Sequence, residues 1–170
     1  MKYSTFLLSL VCFLMIAACS QTQATTETSD LVPERQSPKV QQLLSLINDE
    51  RSKRGLVILR EDPKLAQAAL IHAEEQMSEN ALSHSSLNGD SVSDRVAVTG
   101  YAWGFVAENL AAGRETARET LIDWINSPGH NKNLFTKQAS EFGAAYLSRP
   151  RQNQNDLGHF WVLVLAAPLQ

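Results

Sequence analysis

Read for the spacing of its apolar residues, the chain divides into an apolar leader, a polar stretch and a patterned region that begins at Lys39. Val40, Leu43, Leu44 and Ile47 recur at three and four, the period of one helix face. The run closes on Arg51-Ser52-Lys53-Arg54 and Gly55, a basic last turn followed by a residue suited to a C-cap. Leu56 to Leu59 reads as a short extended connector, toward which Asn48 and Arg51 offer polar groups one turn apart. Asp62-Pro63 then supplies a capping side chain and a proline at the first helical position, and the apolar residues from Leu65 to Met77 spread over more than one face. A helix apolar on two sides is packed on two sides, so the pattern predicts a layered domain. A short helix is expected over Asp90 to Val98, closed by Gly100-Tyr101. Thr116 and Glu119 form a capping box that opens a helix with Ala117, Leu121 and Trp124 on one face.

The stretch from Trp124 to Asn131 reads as the end of that helix and a hard stop. Pro128 has no donor and pushes Ser127 into an extended conformation, while Gly129 is free to take the positive φ of a tight reversal. His130 is therefore expected in a turn that fixes its direction, with one further helical turn over Asn131 to Phe135. Phe142 to Leu147 and His159 to Ala166, joined by the polar loop Ser148 to Asp156, read as an antiparallel hairpin apolar enough to be central. Helices followed by strands predict an α+β arrangement of packed layers.

The leader has one basic residue, Lys2, and an apolar run from Phe6 to Ile16 broken by Ser9 and Cys12; it is too short to span a membrane and reads as a secretory signal over residues 1–18. Ile16-Ala17-Ala18-Cys19 resembles a bacterial lipobox, which implies a lipid on Cys19; the alternative is an ordinary signal peptide cleaved near Ala18. In a Gram-negative host, Ser20 rather than an aspartate after the cysteine implies the outer membrane. Residues 19–38 are too polar to offset their ordering entropy and read as a flexible tether. Both cysteines, Cys12 and Cys19, fall before the patterned region, so residues 39–170 must cohere through their core, without disulfides or a thiolate metal site. About 130 residues suffice for one domain with a sizeable core. Removing the leader takes one lysine and no acid, leaving 14 Lys and Arg against 18 Asp and Glu, and no basic run calls for nucleic acid.

Three histidines and one acid carry the candidate chemistry. His72 lies among alanines on a helix and is expected to be a hydrogen-bonded core residue rather than a ligand. His84, in Ser83-His84-Ser85-Ser86, sits where loop backbone can aim it. Glu108, flanked by apolar and small residues, is a candidate for a partly buried acid with a specific partner. His130 follows the Ser-Pro-Gly stop.

The ordered set Asn48 with Arg51, Ala73 with Met77, Ser83-His84, Arg95 with Gly100-Tyr101, Ala107-Glu108-Asn109-Leu110, Trp124 with Ser127-Pro128-Gly129-His130-Asn131 and Asn133, Phe142-Gly143 and Phe160-Trp161 resembles the CAP superfamily, the SCP or pathogenesis-related-1-like domain, in its bacterial form. The match runs from about Lys39 to the C-terminus. The resemblance implies a three-layer α-β-α sandwich with a central antiparallel sheet and an open cavity. It assigns His84, Glu108 and His130 to that cavity. Many eukaryotic members carry a second glutamate three residues after the helix tryptophan; here that position is Ser127, and Asp123 would project from another face.

Two imidazoles and a carboxylate could bind zinc or another divalent metal through His84, His130 and Glu108 with a position left open. The resemblance implies several functions. One is an envelope-tethered binding module that takes a lipid, glycan, peptidoglycan or protein partner. Another is a metal-dependent hydrolase in which Glu108 serves as general base. A third is a structural envelope protein. The alternative to a metal site is a hydrogen-bonded His-Glu-His cluster that holds three loops together without metal.

Overall fold

The computed structural model of the chain describes residues 37–170. The signal segment, Cys12, the lipidation candidate Cys19 and the tether up to residue 36 lie outside the described residues. Helix α1 (Pro38–Lys53) opens one residue ahead of Lys39, because Pro38 suits the first helical position, where its missing N–H costs nothing. Val40, Leu43 and Ile47 form its buried face, and Gly55 takes a left-handed φ of 66° just beyond its end.

Asn48 and Arg51 do tie α1 to the next segment. The Asn48 amide donates to Leu59 O and accepts from Leu59 N, which holds the connector against the helix as a strand neighbour would. Arg51 is fully buried without a carboxylate beside it. Its guanidinium donates instead to the carbonyls of Val57, Leu134, Thr136 and Ala139, and burial pulls its pKa below the ordinary value. The connector leads into the two-residue strand β1 (Arg60–Glu61). Helix α2 (Pro63–Glu79) starts as its sequence dictates, with the Asp62 side chain accepting from Lys64 N and Leu65 N. The short helix α3 (Val92–Val98) comes next, then strand β2 (Trp103–Ala112) and helix α4 (Ala117–Asn126), whose Thr116–Glu119 capping box is present in both directions. Helix α5 (Pro128–Leu134) and the hairpin of β3 (Glu141–Ser148) and β4 (His159–Pro168) complete the chain.

Two expectations change. The Ser-Pro-Gly segment is not a reversal with a left-handed glycine. Ser127 alone is extended, at φ −95° and ψ 118°; it closes α4 and opens α5, Pro128 is the first residue of the new helix, and Gly129 and His130 are helical. A proline that must stop one helix is equally suited to start the next. The residues around Glu108, whose sequence shows no clear period, form the ten-residue strand β2.

The strands are ordered β1-β3-β4-β2, with β4 antiparallel to both long neighbours and β1 adding a short parallel pairing at the β3 edge. Side chains alternate across this sheet with the period of two that a pleat imposes. Phe142, Ala144, Tyr146, Trp161, Leu163 and Leu165 face a core shared with α1, α4 and α5. Ala145, Leu147, Val162, Val164 and Ala166 face a second core, with Leu65, Ala68, Ala69 and Ala73 of α2 and Val96 of α3. The result is the expected α-β-α sandwich. Gly143 sets the spacing of one interface: a Cβ there would lie 2.1 Å from Ala66 N and 2.1 Å from the Leu65 carbonyl carbon, so α2 can reach the sheet only over a glycine.

Candidate functional site

Strand β2 pairs with β4 along one edge, and its other edge is open to side chains from α4 and α5. Glu108 and Leu110, two residues apart, turn their carbonyls to that free edge. Trp124 Nε1 donates to Leu110 O at 2.9 Å and Asn133 Nδ2 donates to Glu108 O at 3.1 Å. Asn109 adds a third tie, its amide donating to the His130 carbonyl at 3.1 Å and its oxygen accepting from Asn133 at 3.0 Å. The polar residues of the Trp-to-Asn stretch thus dock α5 on the strand edge, and His130 is aimed by a helix rather than by a turn.

Glu108 points to the other side of the strand, where its side chain is 1 % exposed. Its Oε2 accepts from Arg95 Nη2 at 2.5 Å and its Oε1 accepts from His84 Nδ1 at 2.8 Å. Arg95, nearly buried on α3, also donates through Nη1 to the carbonyls of His84 and Asp90 and to Ser86 Oγ, so one guanidinium holds both the acid and the loop that carries His84. That loop is fixed from behind as well. Gln76, in the last turns of α2, accepts from Ser83 N and donates to Ser83 O, both at 2.8 Å. His72 is fully buried beneath, with Nδ1 2.8 Å from Glu75 Oε2 and Nε2 2.7 Å from Ser83 O, the hydrogen-bonded core residue its setting predicts. Burial raises the Glu75 carboxyl, but hydrogen bonds from His72 and Ser86 bring it below its ordinary value.

His84, with its side chain 65 % exposed, and His130 meet Glu108 at one open cleft of about 530 Å³, to which Ser127, Lys132 and Asn133 also contribute. Burial first, and the nearby His84 second, lower the His130 pKa, so this ring is neutral over a wider range than an ordinary imidazole. The ring also meets the Trp124 indole edge-on, with centroids 6.4 Å apart. The structure therefore brings the three sequence candidates together. It adds Arg95, which stands in the motif set without a role; the only sequence signal for it is that an acid among apolar residues needs a partner.

The geometry does not fit Glu108 as a direct metal ligand. Both Glu108 oxygens are taken by Arg95 and His84, Ser127 stands where a second carboxylate could have been, and two imidazoles remain. Among the described residues no group of three or more His, Cys, Asp and Glu is arranged to hold an ion.

The protein-family model of the cysteine-rich secretory protein family, CAP, matches residues 44–165. YkwD of Bacillus subtilis is 30% identical over 122 residues, which are 72% of this chain and 48% of that protein; the chain spans about half the length of this relative. An SCP-domain-containing extracellular protein from Bacillus anthracis superposes with a TM-score of 0.64 at 27% identity, covering 74% of this chain and 39% of that one. An outer surface protein from Borrelia burgdorferi superposes with a TM-score of 0.71 over 78% of this chain and 95% of that one; at 22% identity it speaks to the fold alone. With the family match spanning both cores and every wall of the cleft, the chain belongs to the cysteine-rich secretory protein (CAP) family.

Proposed function

We propose that this is an exported protein of the bacterial cell envelope, held at a membrane through lipid on Cys19, whose domain binds a ligand in the cleft at the β2 edge without transforming it. The observation that carries the reading is the state of Glu108. The cleft is open and wide enough for a sugar-sized or acyl-sized group, yet its buried acid has both oxygens committed to Arg95 and His84 and is not free to activate water. The metal-dependent hydrolase read from the sequence needs that carboxylate as base or ligand. The export reading is supported by the leader and by the extracellular description of the Bacillus anthracis protein. The ligand is expected among envelope components: lipid, glycan, peptidoglycan or a protein partner.

Two measurements test this. The whole chain is incubated with isolated envelope fractions, separated into peptidoglycan sacculi, lipid vesicles and envelope proteins. Retention on one fraction that falls at least tenfold in His130→Ala supports the cleft as the binding site; consumption of a fraction's component by the wild-type chain, lost in Glu108→Gln, would replace binding by hydrolysis. For the anchor, Cys19→Ser should move the protein from the membrane pellet to the soluble fraction, and its persistence in the pellet counts against the lipid.

A further inference from the structure

The ion pair beneath the cleft decides which atom the protein offers to a ligand. Glu108 Oε2 is held by the Arg95 guanidinium, and the pair is almost wholly buried at 4 % and 1 % side-chain exposure. A carboxylate so paired accepts hydrogen bonds and donates none, so the contact of its Oε1 with His84 Nδ1 at 2.8 Å requires the proton to sit on Nδ1. In neutral His84, Nε2 then carries the lone pair. The ring is exposed, its Nδ1 edge is turned inward to Glu108, and Nε2 is the nitrogen left for the cleft.

We infer that Arg95 is a positioning residue for this cavity: it holds Glu108, Glu108 holds His84 Nδ1–H, and His84 Nε2 faces the cleft as a hydrogen-bond acceptor. Arg95 also donates to the His84 carbonyl, so it fixes both ends of the residue, backbone and ring. The guanidinium supplies the positive charge next to the carboxylate, and a divalent ion ligated by Glu108 would have to displace it from a buried pocket, leaving a desolvated arginine without its acid. Ser127 and Lys132 also line the cleft, so a bound molecule meets an acceptor and donors in the same cavity. The inference rests on the cleft being the binding site, but its tests read the imidazole ring and need no ligand; failure to retain envelope components would leave them unaffected.

The tautomer is read directly by long-range nitrogen–proton correlation on the nitrogen-15-labelled whole chain in detergent at about pH 8, where an ordinary imidazole is neutral. His84 is expected to show protonated Nδ1 and unprotonated Nε2. Arg95→Gln should bring the two His84 nitrogen signals toward each other as the second tautomer fills, while Arg95→Lys, which keeps a cation, should restore most of the separation. The wild-type measurement stands even where a variant does not fold. A protonated Nε2 in the wild-type chain would overturn the inference, as would unchanged ring signals in a folded Arg95→Gln.

Discussion

A chain of hydrogen bonds runs along the mouth of the β3–β4 hairpin. Lys39 Nζ can only donate, and it reaches Tyr146 Oη at 3.0 Å. The tyrosine proton is then available to His159 Nδ1, 2.8 Å away, when that nitrogen is unprotonated. The pKa agrees: burial lowers it first, and although Glu115 pulls upward, Lys39 and Arg151 add to the lowering. A histidine with a depressed folded pKa binds protons more readily unfolded, so its contribution to stability is complete above its ordinary value of 6.5 and is lost as pH falls through the lower folded one. Urea unfolding midpoints at pH 7.5 and 5.5 should therefore differ more for the wild-type chain than for His159→Gln, whose amide oxygen can still accept from Tyr146. An equal difference in both would mean that His159 does not contribute to the acid sensitivity.

At the scale of elements, the edge carbonyls of β2 show what the Trp-to-Asn stretch is for. Trp124→Phe keeps most of the apolar volume in the α4 face and removes the N–H that meets Leu110 O, leaving a buried carbonyl short of its partner. That should cost about 1–3 kcal/mol, measurable as a lower denaturant midpoint at unchanged slope. The same elements show where sequence is legible. Helices α2 and α4 can be placed because their start signals, Asp62-Pro63 and Thr116 with Glu119, are local chemistry satisfied within one turn. The hairpin can be placed because nearly every residue of β4 is apolar, as befits a strand covered on both faces. Strand β2 escapes because Glu108 and Asn109 put polar groups on both of its faces, which hides the alternation of its neighbours. Helix α5 is misread because Ser-Pro-Gly is compatible with a reversal and with a helix start, and the docking of Asn109 and Asn133 that selects the second lies far apart in sequence. Arg95 is invisible for the same reason: its partners, His84 and Glu108, are 11 and 13 residues away in opposite directions.

For the whole molecule, the separation of its layers is set by a few contacts that tolerate no extra atom. Gly143→Ala would drive a methyl into the backbone of Leu65 and Ala66, atoms that cannot step aside by rotating a side chain. Helix α2 would have to lift from the sheet, opening the core around Ala145 and Val164. The expected loss exceeds about 3 kcal/mol, larger than an ordinary overpacking substitution. Thermal unfolding of the whole chain checks it, and a variant within about 1 kcal/mol of wild type would show that α2 can slide. Because α2 also carries Gln76 and His72, which brace the His84 loop, a lifted helix should loosen the cleft along with the core.

Every sheet ends in two strands whose outer backbone groups could recruit another chain, and this one closes its two ends differently. At the β1 end only Arg60 and Glu61 are paired, both charged and exposed, too short and too polar a template for a neighbour to extend. At the β2 end the capping groups are Trp124, from the core, and Asn133, which lines the cleft. Asn133 therefore serves both the cavity and the strand edge, where it takes up a carbonyl that another chain could otherwise pair with. Substitutions made there to alter binding carry a second consequence, a tendency to self-associate that rises with concentration and that a stability measurement on dilute protein would not reveal.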